Sequence, residues 1–421
     1  MQRTNLIADF HIHSKYSRAC SKNLTLPNIA AACERKGIDL ITTSDFTHPA
    51  WMKHIDEELE EVADGIYQLT GARSKTKFIL TTELSSIYSQ GGKVRRIHVL
   101  IFSPSIAVAK KFTEELEARG CNVKSDGRPI LGLSAVEILK IMLAISPDMM
   151  MVPAHAWTPW FSVFGSKSGF DSLEECFGDL ALHIRAIETG LSSDPTMNWM
   201  VDALDDITLI SNSDAHSLEK LGREATVFAI DPEKKFSYLE IIHAIQNKSS
   251  GVIKETIEFF PEEGKYHIDG HAACNFFCLP TQTKKLDGIC PVCKKKLTIG
   301  VLYRVEELSN IKKVIHTSNK IHIPFRHIIP LAELIAFTLG VGTGSVRVGR
   351  IYDKIIAHLG NEFNVLLEVP IADISANSSE EIGNAVAAMR AGTVELTPGY
   401  DGVFGKISVV KKNNFTQKNL L

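Results

Sequence analysis

Through the first half of the chain one unit recurs: a short apolar run that stops against a histidine or a carboxylate. Leu6–Ala8 lead into Asp9, Leu40–Ile41 into Asp45, Phe78–Leu80 into Glu83, Met149–Val152 into His155, Ala186–Ile187 into Glu188, and Ile207–Ile210 into Asp214 and His216, while Val99–Phe102 follow His98 directly. Short apolar runs with polar ends predict buried strands. Between them Ile29–Lys36, Glu57–Ala63, Val108–Ala118 and Ala135–Ala144 carry apolar residues at helical spacing. Alternating strands and helices predict an α/β fold, and a barrel accommodates the seven repeats best. In such barrels the reactive groups project from the carboxyl ends of the strands, so residues far apart in sequence meet at one mouth.

The pattern changes after Phe260–Gly264. Cys274, Cys278, Cys290 and Cys293 crowd together, and from Gly300 a new set of helices and strands runs to the end. The expected organisation is a catalytic barrel over 1–255, a zinc ribbon over 256–300, and an α+β C-terminal DNA-binding or accessory domain over 301–421 with a flexible tail from about 411. A chain of 421 residues, 44% of them apolar, buries more than one core, which excludes a disordered or collagen-like protein. No run approaches the roughly 18 apolar residues of a membrane span, and the opening residues lack a secretion-signal pattern, so the cytoplasm is the expected compartment. Residues 265–421 carry 19 Lys and Arg against 13 Asp and Glu (+6), the rest 27 against 36 (−9). That asymmetry suits an acidic half that holds cations and a basic half that holds a polyanion.

The sharpest motif is Asp9-Phe10-His11-Ile12-His13. Alternate strand residues point the same way, so His11 and His13 can grip one ion, with Asp9 beside them. Asp214-Ala215-His216 repeats that spacing after another apolar run. Cys290-Pro291-Val292-Cys293 has the spacing of a zinc knuckle. Its partner arm is either His271 with Cys274 or Cys274 with Cys278, the first giving the same two-residue spacing. Four ligands leave no open position, so this zinc is expected to be structural. Trp157, Trp160 and Phe161, next to His155, are candidates to stack on an extruded base. Arg347 and Arg350 follow a glycine-rich turn that lacks the lysine of a nucleotide-binding phosphate loop, and they are candidates to dock a DNA backbone.

Residues 1 to about 250 resemble the polymerase and histidinol phosphatase (PHP) family. That resemblance implies a distorted seven-stranded barrel and a cluster of two or three divalent ions (Zn, Mn or Mg), held by His11, His13, Asp45, Glu83, His98, His155, Asp214 and His216. Ala19 and Phe46 stand where many members have ligands, leaving His48 or Arg18 to fill the gap. Bridging ions lower the pKa of a bound water so that hydroxide attacks phosphorus. Asp214, Asp45 or Glu188 would then take a proton, and Arg18 or Lys22 would hold the phosphate. For Glu188 and Asp194 a helix-capping role competes equally with a catalytic one.

A PHP barrel followed by the zinc segment, Thr298 to Leu308, Ile329 to Leu334 and Pro398 to Gly402 is similar to the endonuclease Q family over nearly the whole chain. The resemblance implies nicking of DNA on the 5′ side of deaminated bases (hypoxanthine, uracil, xanthine) and abasic sites, leaving 3′-hydroxyl and 5′-phosphate ends. A small-molecule phosphatase of histidinol-phosphate type is the alternative for the same barrel, but it has no use for the zinc segment. In the tail, Gln417 to Leu421 loosely resembles peptides that dock on a sliding clamp, a second expected partner.

Overall fold

The computed structural model describes residues 4–71, 74–231, 236–309 and 321–408. Its strands, in chain order, are β1 (Thr4–Asp9), β2 (Leu40–Thr42), β3 (Leu59–Ala63), β4 (Ile66–Leu69), β5 (Lys77–Gln90), β6 (Lys93–Ser103), β7 (Ile130–Leu131), β8 (Met150–Pro153), β9 (Ala186–Glu188), β10 (Thr208–Ile210), β11 (Ala225–Ile230), β12 (Ile253–Glu258), β13 (Asp269–His271), β14 (Phe276–Cys278), β15 (Phe325–His327), β16 (Glu395–Thr397) and β17 (Lys406–Ser408). The architecture is mixed α/β, with every one of the seven apolar runs in a strand.

The strands follow the order β15-β12-β11-β1-β2-β5-β4-β3, with β6 joining β5 to β8 and β7 added beside β5. β9 and β10 form a separate parallel pair. No closed ring of ladders exists among the described residues, so of the expected distorted seven-stranded barrel the mixed α/β fold is present without closure. Single backbone bonds span the gaps instead: Ala156 N donates to Glu188 O across the β8–β9 side, and His13 N to Ala215 O beyond β10 and β1. Side chains from the strands nonetheless share one interior. Leu6, Ala8 and Phe10 pack with Leu40, Ile79, Leu100, Phe102, Val152, Ala186, Ile210 and Phe228 in a single buried cluster. Successive strand residues face opposite sides, so a second, larger core lies between the sheet and the helices, and it includes Ile41, Phe78, Ile101 and Met151.

Helices form where the spacing predicted them, over Leu26–Lys36, Ile106–Ala118 and Ala135–Ile145; Ser105 caps the second, and Ser134 with Glu137 makes a capping box on the third. The stretch expected as a helix over 57–63 instead ends one helix, Pro49–Glu58, and begins β3. Val62 and Ala63 there pack on the interior cluster, so tertiary contact overrode a local helical pattern.

The Cys-rich segment is a β13–β14 hairpin followed by the helix Pro280–Lys285. Beyond it lie helices Val301–Leu308, Leu331–Leu339, Val346–Leu359, Glu362–Leu367, Ile371–Asn377 and Glu380–Arg390, then the β16–β17 hairpin. β15 pairs in parallel with β12, so the main sheet crosses the boundary expected at residue 301. The tail with Gln417 lies outside the described residues.

Candidate active site

The chain turns sharply after several strands, and four of the predicted ligands or their neighbours adopt the left-handed backbone conformation: Ser44, Asp45, His155 and Asp214. Non-glycine residues rarely hold that conformation, at a cost of about 1 to 3 kcal/mol each. The turns swing their side chains to one end of the sheet, where His11 and His13 arrive from β1.

Two groups of donor atoms form there. His11, His13, Glu83 and Asp214 bring ligand atoms within 4.8 Å of one another, and so do Glu83, His98 and His155. Glu83, fully buried on the long strand β5, belongs to both. Its Oε2 faces His11 Nε2 (3.4 Å) and His13 Nε2 (3.3 Å), while Oε1 faces His98 Nδ1 (2.6 Å) and His155 Nε2 (3.3 Å). A single carboxylate between two sets of imidazoles is what two neighbouring cations require. His11 Nε2 is buried without a hydrogen-bond partner and points at Glu83 and Asp214. An orphaned imidazole nitrogen among carboxylates suits a cation, and the mixed nitrogen and oxygen donors suit zinc or manganese.

The remaining predicted residues divide by what they touch. Asp45 and Glu188 belong to neither group. Glu188 takes His11 Nδ1 at 3.0 Å, His155 N at 2.6 Å and Asn212 Nδ2 at 2.9 Å, all while fully buried. Asp45 accepts from Ser14 N (2.8 Å) and Ser17 Oγ (2.7 Å), and its Oδ1 lies 3.5 Å from His13 Nδ1. Glu188 thus sits on the far nitrogen of His11 and fixes which nitrogen faces inward, whereas Asp45 lies beside the far nitrogen of His13 as a countercharge without a hydrogen bond to it. His216 stacks edge-on to His13 at 4.5 Å but joins neither group. Asp9 binds the backbone of Ser213 and Gly222, clamping the loop that carries Asp214 to β1. Asp194 is a helix cap, accepting from Met197 N, and does not line the cleft.

Electrostatics bind the cluster together. Burial alone would raise Glu83, but His98, Arg128 and His11 hold it well below the usual carboxylate range. Burial disfavours charge on His11 and His13, yet the surrounding carboxylates raise both imidazoles well above their ordinary value. A cation entering the first group takes over that countercharge and releases protons.

The groups lie at the floor of a cleft of about 1070 Å³. Arg18, Arg96, Arg128, Lys220, Arg223 and Lys265 line it, with Trp160, Phe161, Tyr266 and Phe404. The sequence reading missed Arg128, whose Nη1 lies 3.2 Å from Glu83 Oε2. No spacing signal marked it, since it follows no apolar run. Lys22 lies aside, in a smaller cavity with Lys15, Arg18 and His48. Trp157 is corrected from base contact to core: it is 1% exposed and donates to Asn198 Oδ1 at 2.7 Å. Arg347 and Arg350 are exposed on Val346–Leu359 and are not among the residues that line the cleft.

At the second site His271, Cys274, Cys290 and Cys293 bring their ligand atoms within 4.8 Å. Cys278 turns toward Thr283 Oγ1 (3.2 Å) instead. Three thiols and an imidazole fit a structural zinc.

Residues 330–393 match the model of the MJ0043 C-terminal domain. The chain is 34% identical over 260 residues to MJ0043 of Methanocaldococcus jannaschii, covering 60% of this chain but only 31% of that longer protein. It is 32% identical over 419 residues to YqxK of Bacillus subtilis, covering 96% of this chain and 99% of YqxK. The crystal structure of the lesion-specific endonuclease PfuEndoQ from Pyrococcus furiosus superposes with a TM-score of 0.84 at 32% identity, covering 96% of both chains. The chain belongs to the endonuclease Q family. A second endonuclease Q structure, in complex with a 27-mer duplex bearing an abasic lesion at its active site, matches with a TM-score of 0.85 at 32% identity over 97% of this chain and 98% of that one. Among the described residues no helix is long and apolar enough to cross a membrane.

Proposed function

We propose that this protein is a metal-dependent DNA repair endonuclease that hydrolyses the phosphodiester on the 5′ side of deaminated bases and abasic sites, leaving 3′-hydroxyl and 5′-phosphate ends. The observation that carries the reading is the pair of donor groups sharing Glu83 at the floor of a cationic, aromatic-rimmed cleft. The strands around the common interior are read as a distorted seven-stranded barrel with incomplete ladders. The matched endonuclease Q bound to a lesion duplex supports DNA as the partner.

Two divalent ions in the cleft would supply a hydroxide at neutral pH and neutralise charge on the phosphate. His11, His13, Glu83 and Asp214 would hold one, and Glu83, His98 and His155 the other. Glu188 orients His11, and Asp45, held by Ser14 and Ser17, supplies countercharge beside His13. Arg128 is fixed in the cleft wall by Glu83 and presents a guanidinium to a phosphate oxygen, the role expected of Arg18 or Lys22. Trp160 and Tyr266, ring centroids 5.5 Å apart, form an aromatic wall for an extruded nucleotide. A damaged pair is cheaper to open than a sound one, which gives extrusion its selectivity. The Cys-rich module, carrying one structural zinc, braces the cleft rim.

The test is a strand-cutting assay with duplexes that differ only by one deoxyinosine, deoxyuridine or abasic residue, with end mapping of the products. Cutting 5′ to the lesion with divalent metal, and little cutting of the undamaged duplex, is expected. Equal cutting of both, or release of phosphate from small monoesters alone, would overturn the proposal.

A further inference from the structure

The β16–β17 hairpin presents an apolar tip that the core does not use. Phe404 is 68% exposed and Val403 40% exposed, although the segment around them is tightly held. Tyr400 and Val403 exchange backbone bonds of 3.0 and 2.8 Å around Asp401 and Gly402, both with positive φ, the signature of a tight Asp-Gly hairpin turn. Gly402 N donates to Lys265 O, and Gly405 N to Glu263 O. The Cys-rich module buttresses the same turn, since Tyr400 Oη meets Asn275 Oδ1 at 2.7 Å and Asp401 Oδ2 accepts from Ala272 N at 2.7 Å. A large exposed aromatic ring on a rigid turn is costly to leave in water unless something covers it.

Phe404 also lines the cleft that holds the two donor groups, with Lys265 Nζ 5.7 Å from its ring centroid. The cations at the rim match a phosphate backbone passing over the mouth. The partner of an apolar side chain in that position is the face of a base pair, exposed when a neighbouring nucleotide leaves the stack.

We propose that Phe404, supported by Val403, is a wedge that enters duplex DNA at the lesion and fills the space left when the damaged nucleotide swings into the cleft. The inference rests on the endonuclease reading above. It assigns Phe404 a positioning role, in opening the duplex, and none in hydrolysis. A strand without a partner needs no wedge.

The experiment compares wild type, Phe404→Ala and Phe404→Leu on one deoxyuridine oligonucleotide, single-stranded and in duplex, with 2-aminopurine next to the lesion. Phe404→Ala should slow cutting of the duplex at least tenfold more than cutting of the single strand, and Phe404→Leu should recover part of the loss. Binding of wild type to the duplex without divalent metal should brighten 2-aminopurine, and Phe404→Ala at saturation should not. Equal losses on both substrates, or unchanged duplex cutting with unchanged fluorescence, would overturn the wedge. Failure of wild type to cut either substrate would refute the endonuclease reading, while the metal-free fluorescence would still decide the wedge.

Discussion

Replacing Glu188 with Gln separates a ligand from a residue that orients one. Glu188 touches the centre only through other groups: its oxygens take His11 Nδ1 at 3.0 Å, His155 N at 2.6 Å and Asn212 Nδ2 at 2.9 Å. The glutamine oxygen can keep one of these bonds. Its amide must then face a second donor, and the negative charge that fixes the His11 tautomer is lost. Removing such an outer partner of a metal-binding histidine typically weakens metal affinity 10- to 100-fold, or about 1.4 to 2.7 kcal/mol. The assay is competitive titration of apo protein with a chromophoric zinc chelator, beside lesion-duplex binding measured without metal. Weakening in that range, with DNA binding intact and excess metal restoring cutting, is expected. Complete loss of one cleft ion at any metal concentration would mean that Glu188 is itself a ligand. Unchanged affinity would refute the tautomer argument.

Further tests address other parts of the structure. Glu258 is fully buried beside Glu224, and burial raises it to about 7, so the folded state holds a proton that the unfolded chain releases near its ordinary value. Stability should therefore fall as pH rises from about 4.5 to 7, with Glu224, held well above its ordinary value by burial and by Glu258, adding to the fall; Glu258→Gln, which keeps an acceptor for Thr189 and Ser211, should lessen that slope in urea denaturation, and an unchanged slope would count against it. Arg128→Ala should slow cutting about 100-fold or more while leaving the fold intact, whereas Arg18→Ala should cost little; the reverse order in single-turnover rates would move the phosphate contact to Arg18. Cys290→Ser should lower the melting temperature and remove one zinc per chain by mass spectrometry, with Cys278→Ser leaving the zinc in place. Trp157→Phe should destabilise the protein without changing lesion preference, because its indole is packed against Asn198.

Much of the candidate site was legible because strand geometry writes itself into sequence. An apolar run with a polar end reports a strand and where it stops, so the spacing converged the strand ends on one mouth, while the resemblance to the PHP family supplied the ligand set that includes His11, His13, Glu83, His98, His155 and Asp214. The roles were less legible. Asp45 and Glu188 have the same residue type and spacing as ligands, and only the hydrogen bonds they accept set them behind the histidines. Arg128 and Phe404 reach the cleft from a loop and a hairpin whose position depends on packing, which no local pattern encodes. Trp157 looked like its neighbours Trp160 and Phe161, but one side of the loop faces the core and the other the cleft. The strand at Leu59–Ala63 was hidden for a similar reason, since its pairing with β4 is a tertiary fact.

The account stands most directly on how the cutting rate depends on metal. Apo protein should be titrated with manganese or zinc while single-turnover cleavage of an abasic duplex is followed. The donor groups joined by Glu83 predict no cutting after chelation and a rate that rises with the second equivalent bound in the cleft, with Glu83→Ala inactive at every metal concentration. Full cutting by exhaustively chelated protein, or by Glu83→Ala, would contradict it.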